Sequence, residues 1–277
     1  MQKLLLLGDE AIAQAALDAG LSGVYAYPGT PSTEIMEYVQ RSKQAEAGNV
    51  HRKWSANEKT AMEAAIGMSY AGKRAIVCMK HVGLNVAADP FMNSAITGAN
   101  GGLIVLVADD PSMHSSQDEQ DSRYYARFAQ IPYVEPSNQQ EAYDLTHFAF
   151  ELSERLHTPV LMRVTTRLAH SRAGVVTRES RPQNEINLCG NPKQFILLPA
   201  NARRQYVELI EKNVEFIKSS ETSGNNKYID GTDKSMGIIA SGIAYNYLME
   251  NYPDRNCPYP VLKITQYPLP TAMIEKM

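Results

Sequence analysis

Short apolar runs alternate with stretches of helical spacing over the first 172 residues. The runs are Val24–Tyr27, Arg74–Met79, Leu103–Ala108 and Val160–Val164. Between them, apolar positions recur every three or four residues in Glu10–Ala19, Ser32–Arg41, Glu58–Ala71, Ala87–Thr97 and Gln139–Leu156, the period of an amphipathic helix. Continuous apolar strands are what a sheet buried on both faces requires. The alternation therefore predicts an α/β fold with a doubly wound, mostly parallel sheet and right-handed crossovers. The opening run Leu4–Leu7 is followed at once by Asp9 and Glu10. It is too short to span a membrane and lacks the length and cleavage site of a signal peptide, so it reads as a strand or an extended entry into a helix.

The pattern changes after residue 172. Arg178–Asn187 is polar, Arg203–Lys218 carries one apolar face, and Ser219–Asp233 is rich in Ser, Gly, Asn and Asp, the composition of a loop. Residues 173–234 thus read as a linker with one helix. A new α/β unit begins near residue 235. Met236–Ser241 reads as a strand running into a turn at Gly242, Ile243–Met249 as a helix and Val261–Ile264 as a second strand. Two strands fall short of a stable domain. Residues 235–277 are expected either to add to the first body or to begin a longer one.

Composition narrows the function. With 277 residues, 44% hydrophobic and 21% charged, the chain has the make-up of a soluble globular protein. A formal net charge of −3 and the lack of any Lys/Arg run argue against nucleic acid or an anionic membrane as partner. Cys78, Cys189 and Cys257 are far apart and form no C-x-x-C, so no zinc knuckle or iron–sulfur site is encoded. Such cysteine usage suits a reducing compartment, and a cytoplasmic location is expected.

Two turns carry the candidate chemistry. Trp54–Met68 reads as a strand end, a polar turn and a helix opening with Glu58, near helical N–H groups that favour negative charge. Glu58 could be a simple helix-terminal acid. It could also hydrogen-bond a ring nitrogen of a bound heterocycle, a role that needs a single acid with a tuned pKa at the carboxyl edge of the sheet. The context of residues 20–120 favours the second reading. Tyr27-Pro28-Gly29-Thr30-Pro31-Ser32-Thr33-Glu34 is a second strand-to-helix turn. Thr30 fits an N-cap and Pro31 a first helical position; the same helix start could hold a substrate carboxylate. Lys80 and His81 follow a strand at the same edge, and His81, expected in a loop, is read as facing the site. Asp109–His114 follows the next strand, and its acids could cap a helix or lie near substrate. Gly8-Asp9 lacks the Asn some 25–30 residues on that a magnesium–diphosphate motif requires, so no metal ligands are assigned. There is no P-loop, dinucleotide fingerprint or nucleophile elbow.

Tyr27-Pro28-Gly29-Thr30-Pro31-Ser32, Asn57-Glu58-Lys59 and the run Met79-Lys80-His81-Val82-Gly83-Leu84-Asn85-Val86-Ala87-Ala88-Asp89-Pro90 together resemble the pyrimidine-binding domain of thiamine-diphosphate-dependent 2-oxoacid:ferredoxin oxidoreductases. The resemblance is to the alpha subunits of the indolepyruvate branch. It continues through Thr166–Ser171, Leu198–Ala200 and Gly237–Tyr245, and so covers essentially the whole chain. It implies oxidative decarboxylation of arylpyruvates on thiamine diphosphate, with electrons leaving through iron–sulfur clusters to ferredoxin and the acyl group passing to coenzyme A. It implies that Glu58 contacts the aminopyrimidine N1′ and promotes the imino tautomer that removes the thiazolium C2 proton. Thr30 and His81 are the implied substrate contacts, and Pro28, Gly29, Lys80 and Asn85 the implied cofactor contacts beside Glu58. Residues 1–172 are the implied pyrimidine domain and 235–277 the start of a transketolase C-terminal-like unit.

The departures are equally specific. The family's alpha subunits continue into a diphosphate-binding domain with a Gly-Asp motif for Mg²⁺ and a Cys-rich ferredoxin-like tail. The chain is therefore expected to act with a diphosphate-binding domain or subunit, a beta subunit corresponding to the family's gamma domain, and ferredoxin, and to be inactive alone. The arginine that reads pyruvate in relatives has no clear counterpart near Asp109–His114. A homodimer is expected through an apolar rim at Tyr27, Met79 and Val82. The competing readings are a pyrimidine-domain subunit of another thiamine-dependent 2-oxoacid oxidoreductase or decarboxylase, and a non-catalytic scaffold subunit.

Overall fold

The apolar runs become the inner strands of a sheet in the computed structural model, which describes residues 2–277. Within them the strands are β1 (Lys3–Leu7), β2 (Gly23–Ala26), β3 (His51–Trp54), β4 (Ala75–Lys80), β5 (Leu103–Asp109), β6 (Tyr133–Val134), β7 (Val160–Thr165), β8 (Arg172–Val176), β9 (Lys227–Ile229), β10 (Ile238–Ser241), β11 (Val261–Ile264) and β12 (Gln266–Tyr267). The helices are α1 (Gly8–Asp18), α2 (Thr33–Arg41), α3 (Lys43–Ala47), α4 (Glu58–Tyr70), α5 (His81–Val86), α6 (Ala88–Thr97), α7 (Arg123–Ala129), α8 (Gln139–Leu156), α9 (Thr166–His170), α10 (Pro199–Thr222), α11 (Gly242–Glu250) and α12 (Thr271–Glu275).

Seven strands form the main sheet in the order β12-β6-β7-β5-β4-β2-β3. All neighbours are parallel except β12, which runs antiparallel to β6. β4, β5 and β7 are buried almost end to end, because α1, α2 and α8 pack together as one group and α4, α6 and α10 as another. Each apolar side chain taken from water there contributes about 1.5–3 kcal/mol. The expected doubly wound, mostly parallel α/β sheet is the fold observed.

Long-range pairings supply the rest. The entry strand β1 pairs antiparallel with β8 in a separate ribbon. Residues from β9 to β11 form a small three-stranded sheet in the order β10-β11-β9. Immediately after β11, β12 joins the main sheet, where Tyr267 stacks on Tyr133 with ring centroids 4.2 Å apart. Ser219–Asp233, expected as loop, instead completes α10 and contributes β9. The Asn226 side chain draws this segment in by donating to the Gln266 carbonyl at 2.9 Å and accepting from Thr265 N–H at 2.7 Å. Between β8 and α10 the chain lies along the first body as a strap: Arg181 N–H donates to the Asp18 carbonyl and the Asn184 side chain to Glu154. Among the described residues no helix is long and apolar enough to cross a membrane.

Candidate functional site

Parallel strands end on one edge, so β2, β3, β4, β5 and β7 deliver their following loops to the same side. Glu58 reaches it through a cap. The Asn57 side chain accepts from Thr60 N–H at 2.9 Å, and Thr60 Oγ accepts from Asn57 N–H at 3.3 Å. This pair satisfies orphan helix donors and fixes Glu58 as the first residue of α4. Glu58 is half-buried. Among the described residues its carboxylate has no ion-pair partner and no hydrogen-bond donor. Its side chain lies on Gly83 of α5: a Cβ there would stand 2.5 Å from Glu58 Oε1 and 2.9 Å from Cδ. The missing side chain at Gly83 is the space that Glu58 fills.

The Tyr27–Thr33 turn differs from the sequence reading. Helix α2 begins at Thr33 with Ser32 as N-cap, not at Pro31 with Thr30 as cap. The backbone is committed elsewhere: Ser32 N–H and hydroxyl both donate to the Gly29 carbonyl, at 3.0 and 2.9 Å, and Gly29 N–H donates to Thr33 Oγ at 3.1 Å. The Thr30–Pro31 peptide is cis. Thr30 is exposed at the tip. Gly29 rests on the stem of Lys80, whose Cδ a Cβ at Gly29 would meet at 3.1 Å. The Lys80 ammonium donates to the Ser115 carbonyl at 2.9 Å, and Ser115 Oγ lies 3.4 Å from the Thr30 carbonyl. Lys80 and Ser115 therefore join the 27–33 turn to the loop after β5.

His81 is the first residue of α5 and not a loop residue; its side chain is buried, with Nε2 3.0 Å from the Asp118 carbonyl and, among the described residues, no partner for Nδ1. Asn85 is exposed and accepts from the Tyr125 hydroxyl. Tyr27 and Pro28 are exposed beside Thr30. Met79, expected at an apolar rim, is wholly buried because β4 is an inner strand covered on both faces. The structure thus joins Gly29, Thr30, Lys80 and the 110–121 loop through direct contacts. It joins Glu58 to the same edge through α5.

The loop after β5 is organised by Asp110. Burial works against its charge, but hydrogen bonds from Ser115 N–H, Thr166 hydroxyl and Ser116 hydroxyl hold the carboxyl down at about 2. Below it lies a charge cluster that sequence reading missed. Arg163 of β7 donates to Asp109 at 2.5 Å and to Glu135, and Arg123 of α7 pairs with Asp121 at 2.6 Å and reaches Glu135 at 3.4 Å. Burial pushes the Asp109 carboxyl up despite Arg163. A charged residue inside the apolar run Val160–Val164 was the available signal, since buried charges need partners. Glu135 also packs against Gly242 at the start of α11, where a Cβ would meet its Oε1 at 2.2 Å. A cleft of about 470 Å³ lies beside this cluster, lined by Arg123, Tyr124, Arg127, Tyr133 and Leu269 among others. None of the residues nominated from the sequence lines it.

Comparison with known proteins agrees with this architecture. Residues 14–214 match the family described as Pyruvate flavodoxin/ferredoxin oxidoreductase, thiamine diP-binding. The indolepyruvate oxidoreductase subunit IorA of Archaeoglobus fulgidus is 44% identical over 280 residues, covering 99% of this chain and 45% of that protein. IorA of Pyrococcus horikoshii is 44% identical, covering 99% and 43%. The 2-oxoglutarate synthase subunit KorA of Methanocaldococcus jannaschii is 26% identical, covering 70% and 56%. The chain thus spans under half the length of the IorA relatives. A solved 2-oxoglutarate:ferredoxin oxidoreductase from Magnetococcus marinus shares the fold, with a TM-score of 0.78 at 17% identity over 99% of this chain and 56% of that one. With the profile covering well over half of its length, this chain belongs to the thiamine-diphosphate-binding family of pyruvate flavodoxin/ferredoxin oxidoreductases.

Proposed function

We propose that this chain supplies the pyrimidine-activating half of a thiamine-diphosphate-dependent indolepyruvate:ferredoxin oxidoreductase. The observation that carries the reading is Glu58, an unpartnered carboxylate at a helix start, lying on a glycine at the carboxyl edge of the sheet. That is a place where a ring nitrogen fits: among the described residues the acid has no competing donor, and the cradle against Gly83 holds its direction. When bound, thiamine diphosphate supplies the carbon centre at which a 2-oxoacid is decarboxylated. Glu58 holds the proton at the aminopyrimidine N1′ and so governs the basicity of the exocyclic nitrogen. Pro28, Gly29, Lys80 and Asn85 shape the wall around the pyrimidine. Thr30, exposed at the tip of its turn, and His81 position the substrate.

The identity to proteins named indolepyruvate oxidoreductase subunit IorA supports arylpyruvates as substrates. Residues 1–172 act as the pyrimidine domain, 173–234 as the linker and 235–277 as the start of the second α/β unit. Mg²⁺ and the diphosphate fall to a partner domain or subunit, and the iron–sulfur clusters, coenzyme A and ferredoxin contacts to the same assembly with its beta subunit. Exposed Tyr27 and half-buried Val82 suit the edge to a protein surface. Self-association through it is expected to bury roughly a thousand Å² or more.

The test is reconstitution with the partner subunits and an assay of low-potential dye reduction by indolepyruvate and coenzyme A. Faster reduction with arylpyruvates than with 2-oxoglutarate supports the reading. Activity with 2-oxoglutarate alone would place the chain with the KorA relatives, and decarboxylation without dye reduction would make it a decarboxylase subunit. An assembled complex without either activity would make it a scaffold.

A further inference from the structure

Behind the Thr30 turn, on the α1 side of the molecule, a second group of acids remains unexplained. Asp9 is the second residue of α1 and wholly buried, and among the described residues neither of its carboxylate oxygens has a hydrogen-bond partner. Glu34, the second residue of α2, has a buried Oε2 that is likewise unpartnered. His170, the last residue of α9, places Nε2 3.4 Å from Glu34 Oε1 and is about one-third exposed. One donor atom from each of the three residues lies within 4.8 Å of the others. Close packing brings them together. Gly8 N–H donates to the Ser171 carbonyl at 3.2 Å, and a Cβ at Gly8 would stand 2.2 Å from the Leu168 carbonyl oxygen, so α1 starts directly against α9.

An unpaired carboxylate cannot be buried without loss. Desolvation costs several kcal/mol per ion after relaxation, and Asp9 has two acidic neighbours, Glu34 and Glu10. Arg41, the cation beside Glu10, is already engaged with that acid at 2.7 Å. Cys78 of β4, also fully buried, lies within reach of the Asp9 charge. Neutrality at this point requires a proton or a cation.

We infer that Asp9, Glu34 and His170 form a site for a divalent transition-metal ion, with Zn²⁺ as the type. Two carboxylates and a neutral imidazole balance the charge of one dication. The mixed oxygen and nitrogen donors favour zinc, cobalt or manganese over magnesium or calcium, which take oxygen sets. Ligands about 2.1 Å from a tetrahedral ion stand roughly 3.4 Å apart, so the donors converge with small rotamer adjustments. The partial exposure of His170 gives an entry path and leaves room for water as fourth ligand. The ion would tie α1, α2 and α9 together, and α2 is the helix that the Thr30 turn leads into. This site is separate from Glu58 and does not depend on the thiamine reading. It is also not the diphosphate-binding magnesium, for which Gly8-Asp9 lacks the downstream Asn.

The experiment is titration of the chelator-treated chain with Co²⁺, read by visible d–d absorption, with Zn²⁺ as competitor and thermal unfolding followed in parallel. The inference predicts one Co²⁺ per chain, displaced by Zn²⁺, and a metal-dependent rise in the unfolding temperature. Asp9→Asn and His170→Gln should each weaken binding by about tenfold or more, the scale expected when a metal site loses a supporting group. Circular dichroism of both apo variants checks that the fold persists, which the isosteric Asp9→Asn change favours. Absence of stoichiometric binding to the wild-type chain would overturn the inference. So would unchanged binding in both variants. An infrared band of a protonated carboxylic acid, lost in Asp9→Asn and indifferent to metal, would assign the charge balance to a proton instead.

Discussion

A β-carbon on Gly83 would stand 2.5 Å from Glu58 Oε1. The two residues come from different helices, α4 and α5, and meet only because β3 and β4 end on the same edge with β2 between them. Gly83→Ala therefore separates stability from function. Alanine is favoured over glycine in a helix by about 0.8–1 kcal/mol, and the atoms it meets are the mobile end of a side chain. The folded chain should keep or raise its unfolding temperature while the reconstituted enzyme loses most of its turnover. Calorimetry beside a dye-reduction assay checks this, and retained turnover would mean that Glu58 does not need its cradle.

Arg163 holds two buried carboxylates, Asp109 and Glu135, from the middle of the sheet. Removing one partner of a buried ion pair leaves an uncompensated charge and costs about 3–5 kcal/mol. Arg163→Met should destabilise the chain by that amount in urea denaturation, and adding Asp109→Asn should recover part of the loss. A cost below about 1 kcal/mol would show that the cluster is wet and weak, as exposed pairs are.

His147 of α8 is buried and, among the described residues, neither ring nitrogen has a partner. Burial first, then the charges of Arg178 and Arg181, lowers its pKa from 6.5 to about 4, against a smaller opposing pull from Asp18 and Glu151. The unfolded chain binds the proton more readily, so acid favours unfolding. The contribution of neutral His147 to stability is complete above about pH 6.5 and is lost as pH falls toward about 4. His147→Phe, which keeps a ring in the same space, should flatten stability over that window. An unchanged slope would assign it to other groups.

The frame of the molecule was legible because its strands are buried on both faces. Leu103–Ala108 reads as an uninterrupted apolar run, Val160–Val164 as one broken only by Arg163, and Gln139–Leu156 shows its helix at full length. What stayed hidden depends on partners distant in sequence. β1 is defined by β8, about 170 residues on, and β12 by β6. The polar stretch after Ser219 becomes ordered only through Asn226 bonding to Thr265 and Gln266. Helix α2 starts late because Gly29 uses the amide and hydroxyl of Ser32, a local competition that capping preferences alone do not reveal. At the site, Glu58 was legible as a helix-start acid and Gly83 was not, since nothing in the order of residues says which glycine lies beneath it. Asp9 was set aside on spacing, and only the convergence of three elements places it against Glu34 and His170.

The central claim is that Glu58 governs proton transfer at the bound aminopyrimidine. The direct measurement is hydrogen–deuterium exchange at the thiazolium C2 of thiamine diphosphate in the reconstituted complex, followed by NMR after acid quench, for wild type and Glu58→Gln. A positioned acid–base group contributes about 10²–10⁴-fold. The account predicts a fall in exchange rate of that size with the fold and assembly intact. Exchange at the wild-type rate in Glu58→Gln would contradict it.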